Sequence, residues 1–267
     1  MAKEQKDTWA AGKLYEPYVG RWSRLVAREF LAWLRAQPLL DWVDVGCGTG
    51  ALTETVLRET SPRSIKGLDP STAFIEHARA HIDDARASFD VADARALPIS
   101  DGQFHAAVAG LVINFVPNPL LAVQEMARVV RPGGVVAGYV WDYADKMELM
   151  RYFWDAAVAL DPAAHALHEG RRFPLCRPQP LEELFTRAGL QEIEVRPIDV
   201  PTRFADFDDY WTPFLGGQGP APGYAMSLSE ERRRALRDRI RSALPVASNG
   251  SIDLTARAWA VRGQRPR

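Results

Sequence analysis

The chain has 267 residues, 47% of them apolar and 25% charged, with a formal net charge of −1. That is enough chain for one large globular domain or a domain with an elaborated cap. The near-zero net charge excludes a general electrostatic attraction to nucleic acid or to an anionic membrane.

The first nine residues, MAKEQKDTW, are polar and lack the apolar run of a signal peptide. Residues 1–22 mix polar with aromatic side chains, among them Trp9, Tyr15, Tyr18 and Trp22. From Ser23 the spacing of Val26, Phe30, Trp33 and Leu34 predicts a helix with one buried face, ended by Pro38. LLDWVDVG (39–46) then reads as a buried strand and ALTETVLRE (51–59) as a helix. SIKGLD (64–69) is a second strand, with Ser71 a good N-cap for the helix STAFIEHARAHI. ASFDVAD (87–93) is a third strand and FHAAVAGLVINF (104–115) a long apolar fourth. PLLAVQEMARVV (119–130) is a helix stopped by RPGG, and GGVVAGYVWD (133–142) is a fifth strand. Strands alternating with helices of about ten residues imply a parallel sheet with helices on both faces.

Past residue 142 the rhythm loosens. MELMRYFWDAAVAL (147–160) and PLEELFTRAG (180–189) read as helices, and LQEIEVRPIDV (190–200) and SIDLTARAWAVRG (251–263) as two further strands. Between those strands lie about 50 residues rich in aromatics, Gly and Pro, too many for a hairpin turn and a candidate cap. In its Arg-rich part, EERRRALRDRIR (230–241), Leu228, Leu236, Ile240 and Leu244 fall on one helical face. A solvated surface helix accounts for that pattern better than a phosphate-binding patch does. No internal repeat is visible. The expected division is 1–38 as an N-terminal lid and helix, 39–200 with 251–267 as the core (including cap helices at about 143–180), and 201–250 as the insertion.

The segment VDVGCGTG (43–50) places Gly46, Gly48 and Gly50 on alternate positions after an apolar strand. A strand-to-helix turn needs glycine's backbone freedom, and the helix behind it offers free N–H groups to a polar ligand. The spacing is GxGxG, not the GxGxxG of dinucleotide folds. VDVGCGTG resembles motif I of the class I S-adenosylmethionine-dependent methyltransferases. Four later elements follow in order: Asp69 in GLDPS, Asp93 in VADARALP, the strand-four segment DGQFHAAVAGLVINFVPNP (101–119) and ARVVRPGGVVAGYV (127–140). The resemblance is specific over roughly residues 39–142. It implies a seven-stranded, mostly parallel Rossmann-like sheet with an antiparallel last strand and a helical, aromatic cap. It also implies S-adenosyl-L-methionine as cofactor, held by Gly46, Cys47, Gly48, Asp69, Pro70, Ser71, Asp93, Ala94 and Leu111. Asp69 would accept from the ribose hydroxyls, Asp93 from the adenine amino group, and the Ala94 N–H would meet the ring.

Simpler readings stand beside these. Asp69 and Asp93 are also ordinary turn formers. Asp44 either braces the glycine turn or approaches the ligand's ammonium group. Cys47 is a small filler at a tight turn, and its position, like the second cysteine Cys176, points to a reducing cytosol. Asn114 lines the pocket or forms a turn. Tyr15, Tyr18, Arg21 and Arg24 fit the lid seen in small-molecule members of the family, or merely pack the first helix. Tyr139, Trp141, Asp142, Tyr143, His165 and His168 are the places to look for a base, but methyl transfer needs none, so no catalytic residue is assigned. His165 and His168 lack a Cys or acidic partner at metal spacing, so no metal is expected. Trp154, Phe173, Tyr210, Trp211, Phe214 and Tyr224 suit the core of the cap.

LVINFVPNP lacks the Asn-Pro-Pro-Tyr-type tetrapeptide of base and amide methylation. A small-molecule acceptor, of the kind methylated by quinone-ring and antibiotic-tailoring enzymes, is therefore expected, with no nucleic-acid or membrane partner and a cytoplasmic location. The alternatives are a catalytically silent cofactor-binding sensor or partner protein and, against the glycine spacing, a NAD(P)-dependent oxidoreductase.

Overall fold

The computed structural model describes residues 20–216 and 219–267. Trp9, Tyr15 and Tyr18 lie outside the described residues. Helix α1 (Arg21–Leu34) buries Val26 and Phe30 completely, each worth about 1.5–3 kcal/mol of apolar transfer. Strand β1 (Asp41–Val45) is followed by α2 (Ala51–Glu59), β2 (Ser64–Asp69), α3 (Thr72–His81), β3 (Ala87–Val91) and β4 (Phe104–Gly110). Then come α4 (Pro119–Val129), β5 (Val130–Trp141), α5 (Glu148–Leu160), the short α6 (Glu169–Arg172), α7 (Pro178–Arg187) and β6 (Gln191–Phe204). The short α8 (Phe207–Trp211), α9 (Pro220–Ser227), α10 (Glu230–Ala243) and β7 (Ile252–Gln264) complete the described chain.

The seven strands form one sheet in the order β3-β2-β1-β4-β5-β7-β6. β1 pairs in parallel with β2 and β4, β2 with β3, and β4 with β5, whereas β7 runs antiparallel to β5. β1 lies inside the sheet between β2 and β4, and DWVDV is buried along nearly its whole length, as a strand covered on both faces must be. The chain leaves β1 towards β2 and β3 and then returns to β4 on β1's other side. That reversal opens a crevice at the carboxyl ends of β1 and β4.

Three boundaries differ from the sequence reading. β4 ends at Gly110 rather than 115, because Leu111 adopts φ +60 and residues Ile113–Phe115 close a 3-10 turn. β5 begins at Val130, and RPGG does not interrupt it. The register shifts between Phe104↔Val130 and Ala106↔Val135, and Gly133 at φ +76 absorbs the extra residues as a bulge. β6 runs on to Phe204, which shortens the insertion.

The chain packs as two compact units. One comprises Trp22–Trp141, Leu175–Asp199 and Arg257–Arg267; the other comprises the described residues 20–21, Asp142–Pro174 and Val200–Ala256. Segment 142–174, grouped with the sheet by the sequence reading, thus packs with the insertion, and the reason is aromatic. Phe153 of α5 stacks on Phe214 with ring centroids 4.6 Å apart, Trp154 meets Tyr224 at 5.6 Å, and the Tyr210 hydroxyl donates to the Leu149 carbonyl at 2.7 Å. Trp154, Tyr210, Trp211 and Phe214 are all buried, as expected of a core, while Phe173 and Tyr224 are half-buried. On α10, Leu236 and Ile240 are buried, as is Leu244 just past its end, and most of the arginines face solvent. No helix among the described residues is long and apolar enough to cross a membrane.

Candidate functional site

The turn after β1 is the best-defined element at the crevice. Gly46, Gly48 and Gly50 have φ of +76, +54 and +93, so all three occupy the backbone region that side chains disfavour. Their surroundings separate them. A Cβ at Gly46 would stand 2.5 Å from the Val112 side chain, and one at Gly50 would stand 2.4 Å from Ile82 Cδ1. A Cβ at Gly48 would meet no atom within 4 Å. The first and third glycines are therefore demanded by packing, whereas the second presents bare backbone to open space.

The turn is held from below. The N–H groups of Gly46 and Cys47 both donate to the Leu68 carbonyl, at 2.7 and 3.0 Å, and Gly50 N–H donates to the Cys47 carbonyl at 2.9 Å. The Cys47 thiol packs into an apolar cluster with Ile75, Ala78 and Phe89. Burial, with Asp44 and Asp69 adding to it, pushes that thiol far above its ordinary pKa, so it stays protonated and unreactive.

Asp69 ends β2 beside the turn. Its Oδ2 accepts from Gly48 N–H at 3.0 Å and its Oδ1 from Ser71 N–H at 2.8 Å. Each oxygen retains a lone pair. Burial raises its pKa while these two N–H groups lower it. Pro70 is exposed, and Ser71 caps α3 through its hydroxyl, which accepts from Phe74 N–H at 3.4 Å.

Asp93, two residues past β3, carries a partner that the sequence reading missed. Arg95 clasps its carboxylate, with Nη2 at 2.6 Å from Oδ2 and Nε at 3.0 Å from Oδ1, and holds it below the usual carboxylate range. Ala94 between them is half-buried. The loop is pinned at its far end, where Glu125 accepts from Leu97 N–H at 2.8 Å and Arg128 reaches the Ile99 carbonyl at 2.7 Å. Leu111, in its left-handed conformation, donates its N–H to the Tyr139 carbonyl at 2.8 Å, which fixes the exit from β4. Three residues on, Asn114 buries its Nδ2 without a hydrogen-bond partner.

Asp44 lies inside the sheet. It is fully buried, accepts from the Thr53 hydroxyl at 2.7 Å through Oδ2, and leaves Oδ1 unpartnered. Burial is the main cause that pushes its carboxyl up to about 7. A hydroxyl nine residues downstream, on the first turns of the following helix, was the available signal for Thr53.

The other described candidates have the following neighbours. Arg24 pairs with Glu54 at 3.3 Å, and Arg21 pairs with Asp209 at 3.0 Å. Tyr139 is buried against Phe30 at 4.8 Å, and Trp141 is buried too. The Asp142 carboxylate accepts from Asp145 N–H at 3.2 Å, and Tyr143 packs on Phe173 at 5.8 Å. His165 is exposed beside Arg171. His168 Nδ1 accepts from Gly170 N–H at 2.9 Å and so caps α6. Burial holds His168 below the ordinary histidine range, and this hydrogen bond assigns the neutral ring's proton to Nε2. A ring in that tautomer donates from Nε2 rather than removing a proton there. No group of three His, Cys, Asp or Glu among the described residues is placed to hold a metal ion.

The comparison with known proteins joins these pieces. A family model described as a methyltransferase domain matches residues 43–138. The chain is similar to the demethylmenaquinone methyltransferase of Desulfitobacterium hafniense, with 31% identity over 180 residues, 60% of this chain and 69% of that protein. It is similar to the malonyl-[acyl-carrier protein] O-methyltransferase of Hahella chejuensis, with 33% identity over 94 residues, 35% of this chain and 34% of that protein. The chain spans about a third of the length of that relative and of one other. Its fold is shared by phosphoethanolamine N-methyltransferase 2 of Haemonchus contortus, solved with S-adenosyl-L-methionine, at a TM-score of 0.57 and 15% identity over 92% of this chain and 53% of that one. The matched span holds the glycine turn, Asp44, Asp69, Asp93 and Leu111, and the chain belongs to the methyltransferase-domain family in its class I, S-adenosylmethionine-dependent form.

Proposed function

We propose that this protein binds S-adenosyl-L-methionine at the carboxyl ends of β1, β2 and β4 and transfers its methyl group, by in-line displacement, to a small, partly apolar molecule. The observation that carries the reading is the joint geometry of Gly48 and Asp69. Bare backbone facing open space adjoins a carboxylate already fixed by two N–H groups and still able to accept two more hydrogen bonds. That pair of open acceptor positions suits a vicinal diol such as a ribose, whose hydroxyls donate. In this reading Gly46, Cys47 and Gly48 shape the cradle, and Asp69, Pro70 and Ser71 hold the ribose side. Asp93 and Ala94 meet the adenine, and Leu111 forms the wall at β4.

When bound, the cofactor supplies the electrophile, a methyl on a sulfonium. The protein's part is to orient the acceptor and exclude water, and alignment alone is worth ~7–11 kcal/mol in favourable cases. The relative named for demethylmenaquinone supports a ring-bearing, partly apolar acceptor.

The test is a calorimetric titration with S-adenosylmethionine, S-adenosylhomocysteine and NAD in parallel, followed by labelled-methyl transfer to a panel of hydroquinones and phenols. Saturable binding of the first two ligands, and transfer to a panel member, is the expected result. Binding of NAD alone would overturn the cofactor assignment. Binding without transfer to any acceptor would favour a silent sensor.

A further inference from the structure

Two carboxyl groups lie by the glycine turn, and the chain treats them in opposite ways. Asp69 has a backbone N–H on each oxygen. Asp44 has only donors from Thr53 near it, and its Oδ1 has no partner. Asp44 is 0% exposed. The titratable groups facing it are Asp69 from the end of β2 and the Cys47 thiol from the turn, while α2 contributes the neutral Thr53 and β4 the apolar Val108. No cation among the described residues contributes to its charge balance. An ionised carboxylate in that position is desolvated, half-satisfied and repelled by a like charge. Burial raises both acids, but Asp69 has a backbone N–H on each oxygen to hold its charge whereas Asp44 leaves Oδ1 bare, so Asp69 takes the charge and Asp44 takes the proton.

Among the described residues no positive charge lies beside Asp44, and the proposed cofactor brings one. S-Adenosylmethionine carries a sulfonium, an ammonium and a carboxylate, net +1, whereas its sulfide product is net neutral. A cation brought to the turn attracts a buried carboxylate through a medium of low dielectric without touching it. Resting on the cofactor reading above, we infer that Asp44 holds a proton in the cofactor-free protein and releases it when S-adenosylmethionine binds. The buried acid then favours the cationic cofactor over its neutral product. In the step the Asp44 O–H bond breaks, the electron pair stays on the carboxylate, and the proton leaves to the buffer. Asp44 acts here as a buried countercharge under the turn, not as a catalytic residue.

The experiment is titration calorimetry of the full chain with S-adenosylmethionine and with S-adenosylhomocysteine between pH 6 and pH 8. Each titration is run in two buffers of different ionisation enthalpy, so that protons released on binding are counted. The wild-type protein, D44N and T53V are compared, and the ligand's own ionisation is common to all three and cancels. The wild-type protein should release a large fraction of one proton to S-adenosylmethionine near pH 6.5 and less to S-adenosylhomocysteine. Its affinity for the cationic ligand should rise roughly tenfold from pH 6 to pH 8 relative to D44N. D44N should lose the extra release. T53V, which removes a donor to the ionised form, should move the release to higher pH.

Tight binding of both ligands with no proton release, or release that persists in D44N, overturns the inference and leaves the cofactor reading intact. Failure of the wild-type protein to bind either ligand overturns both. If circular dichroism shows D44N unfolded, T53V decides: an unmoved release profile overturns the inference.

Discussion

Among the described residues, the two compact units each bury two carboxyl groups, but in different surroundings. The sheet unit hides Asp44 and Asp69 at the turn, at a cost in desolvation that packing alone would not require. The second unit is built on Phe153, Trp154, Tyr210 and Phe214, where the Tyr210 hydroxyl finds the Leu149 carbonyl. Both interiors hold buried acids, since Asp142 and Glu169 lie in the second unit, where the Trp154 indole N–H donates to Glu169; what sets the sheet unit's acids apart is the bare backbone of Gly48 beside Asp69. Buried acids with open space beside them break the rules of a well-satisfied core, and such violations mark functional sites.

The comparison is broken most directly through the aromatic unit. Phe153→Ala removes the ring stacked on Phe214 from a site with no exposure. It should cost ~3–5 kcal/mol in urea unfolding followed by tryptophan fluorescence. A loss below ~1 kcal/mol would mean that this cluster is not close-packed.

The next effect sharpens the contrast by pH. Asp44 has a folded pKa of about 7, against about 3.9 unfolded. Its folded form therefore binds more protons between those values, and stability falls as pH rises from about 4 to about 7, then stays lowered above that. Asp44→Asn lacks this penalty. The stability difference between D44N and the wild-type protein should grow by up to roughly 4 kcal/mol from pH 4 to pH 8. A difference independent of pH would show that Asp44 is ionised in the folded protein throughout.

Smaller still, Asp69→Ala should weaken S-adenosylmethionine binding by ~1–3 kcal/mol through lost charge-assisted hydrogen bonds. Unchanged affinity in a folded variant would remove Asp69 from the ribose contact. Smallest is Asp206→Ala, which deletes the carboxylate that accepts from Asp209 N–H at 2.9 Å and caps α8. It should cost about 1 kcal/mol of stability and leave cofactor affinity unchanged. Equal losses in both measurements would join the two units' fates.

Much of the sheet was legible residue by residue. LLDWVDVG is apolar because β1 is covered on both faces, and the alternation of such runs with helical spacing pointed to a parallel sheet. The glycines and the aspartates after β2 and β3 were readable because a strand-to-helix turn dictates residue type locally. Their partners were not. That Arg95 clasps Asp93, or that Thr53 serves Asp44, depends on side-chain direction after folding. Leu111 gave no warning of its left-handed backbone, since leucine ordinarily avoids it.

The sequence by itself determined the strand–helix rhythm, the turn and the carboxylates at its spacing, because those follow from local periodicity and backbone sterics. Only the tertiary structure decided that 142–174 packs with 200–256, as the Leu149–Tyr210 hydrogen bond across 61 residues illustrates. It also decided that β5 carries a bulge at RPGG, and that of two acids by one turn Asp69 has a donor on each oxygen while Asp44 leaves Oδ1 without one. Pairing between distant segments leaves no local pattern, and a buried group's charge is set by neighbours that the chain brings together only when it folds.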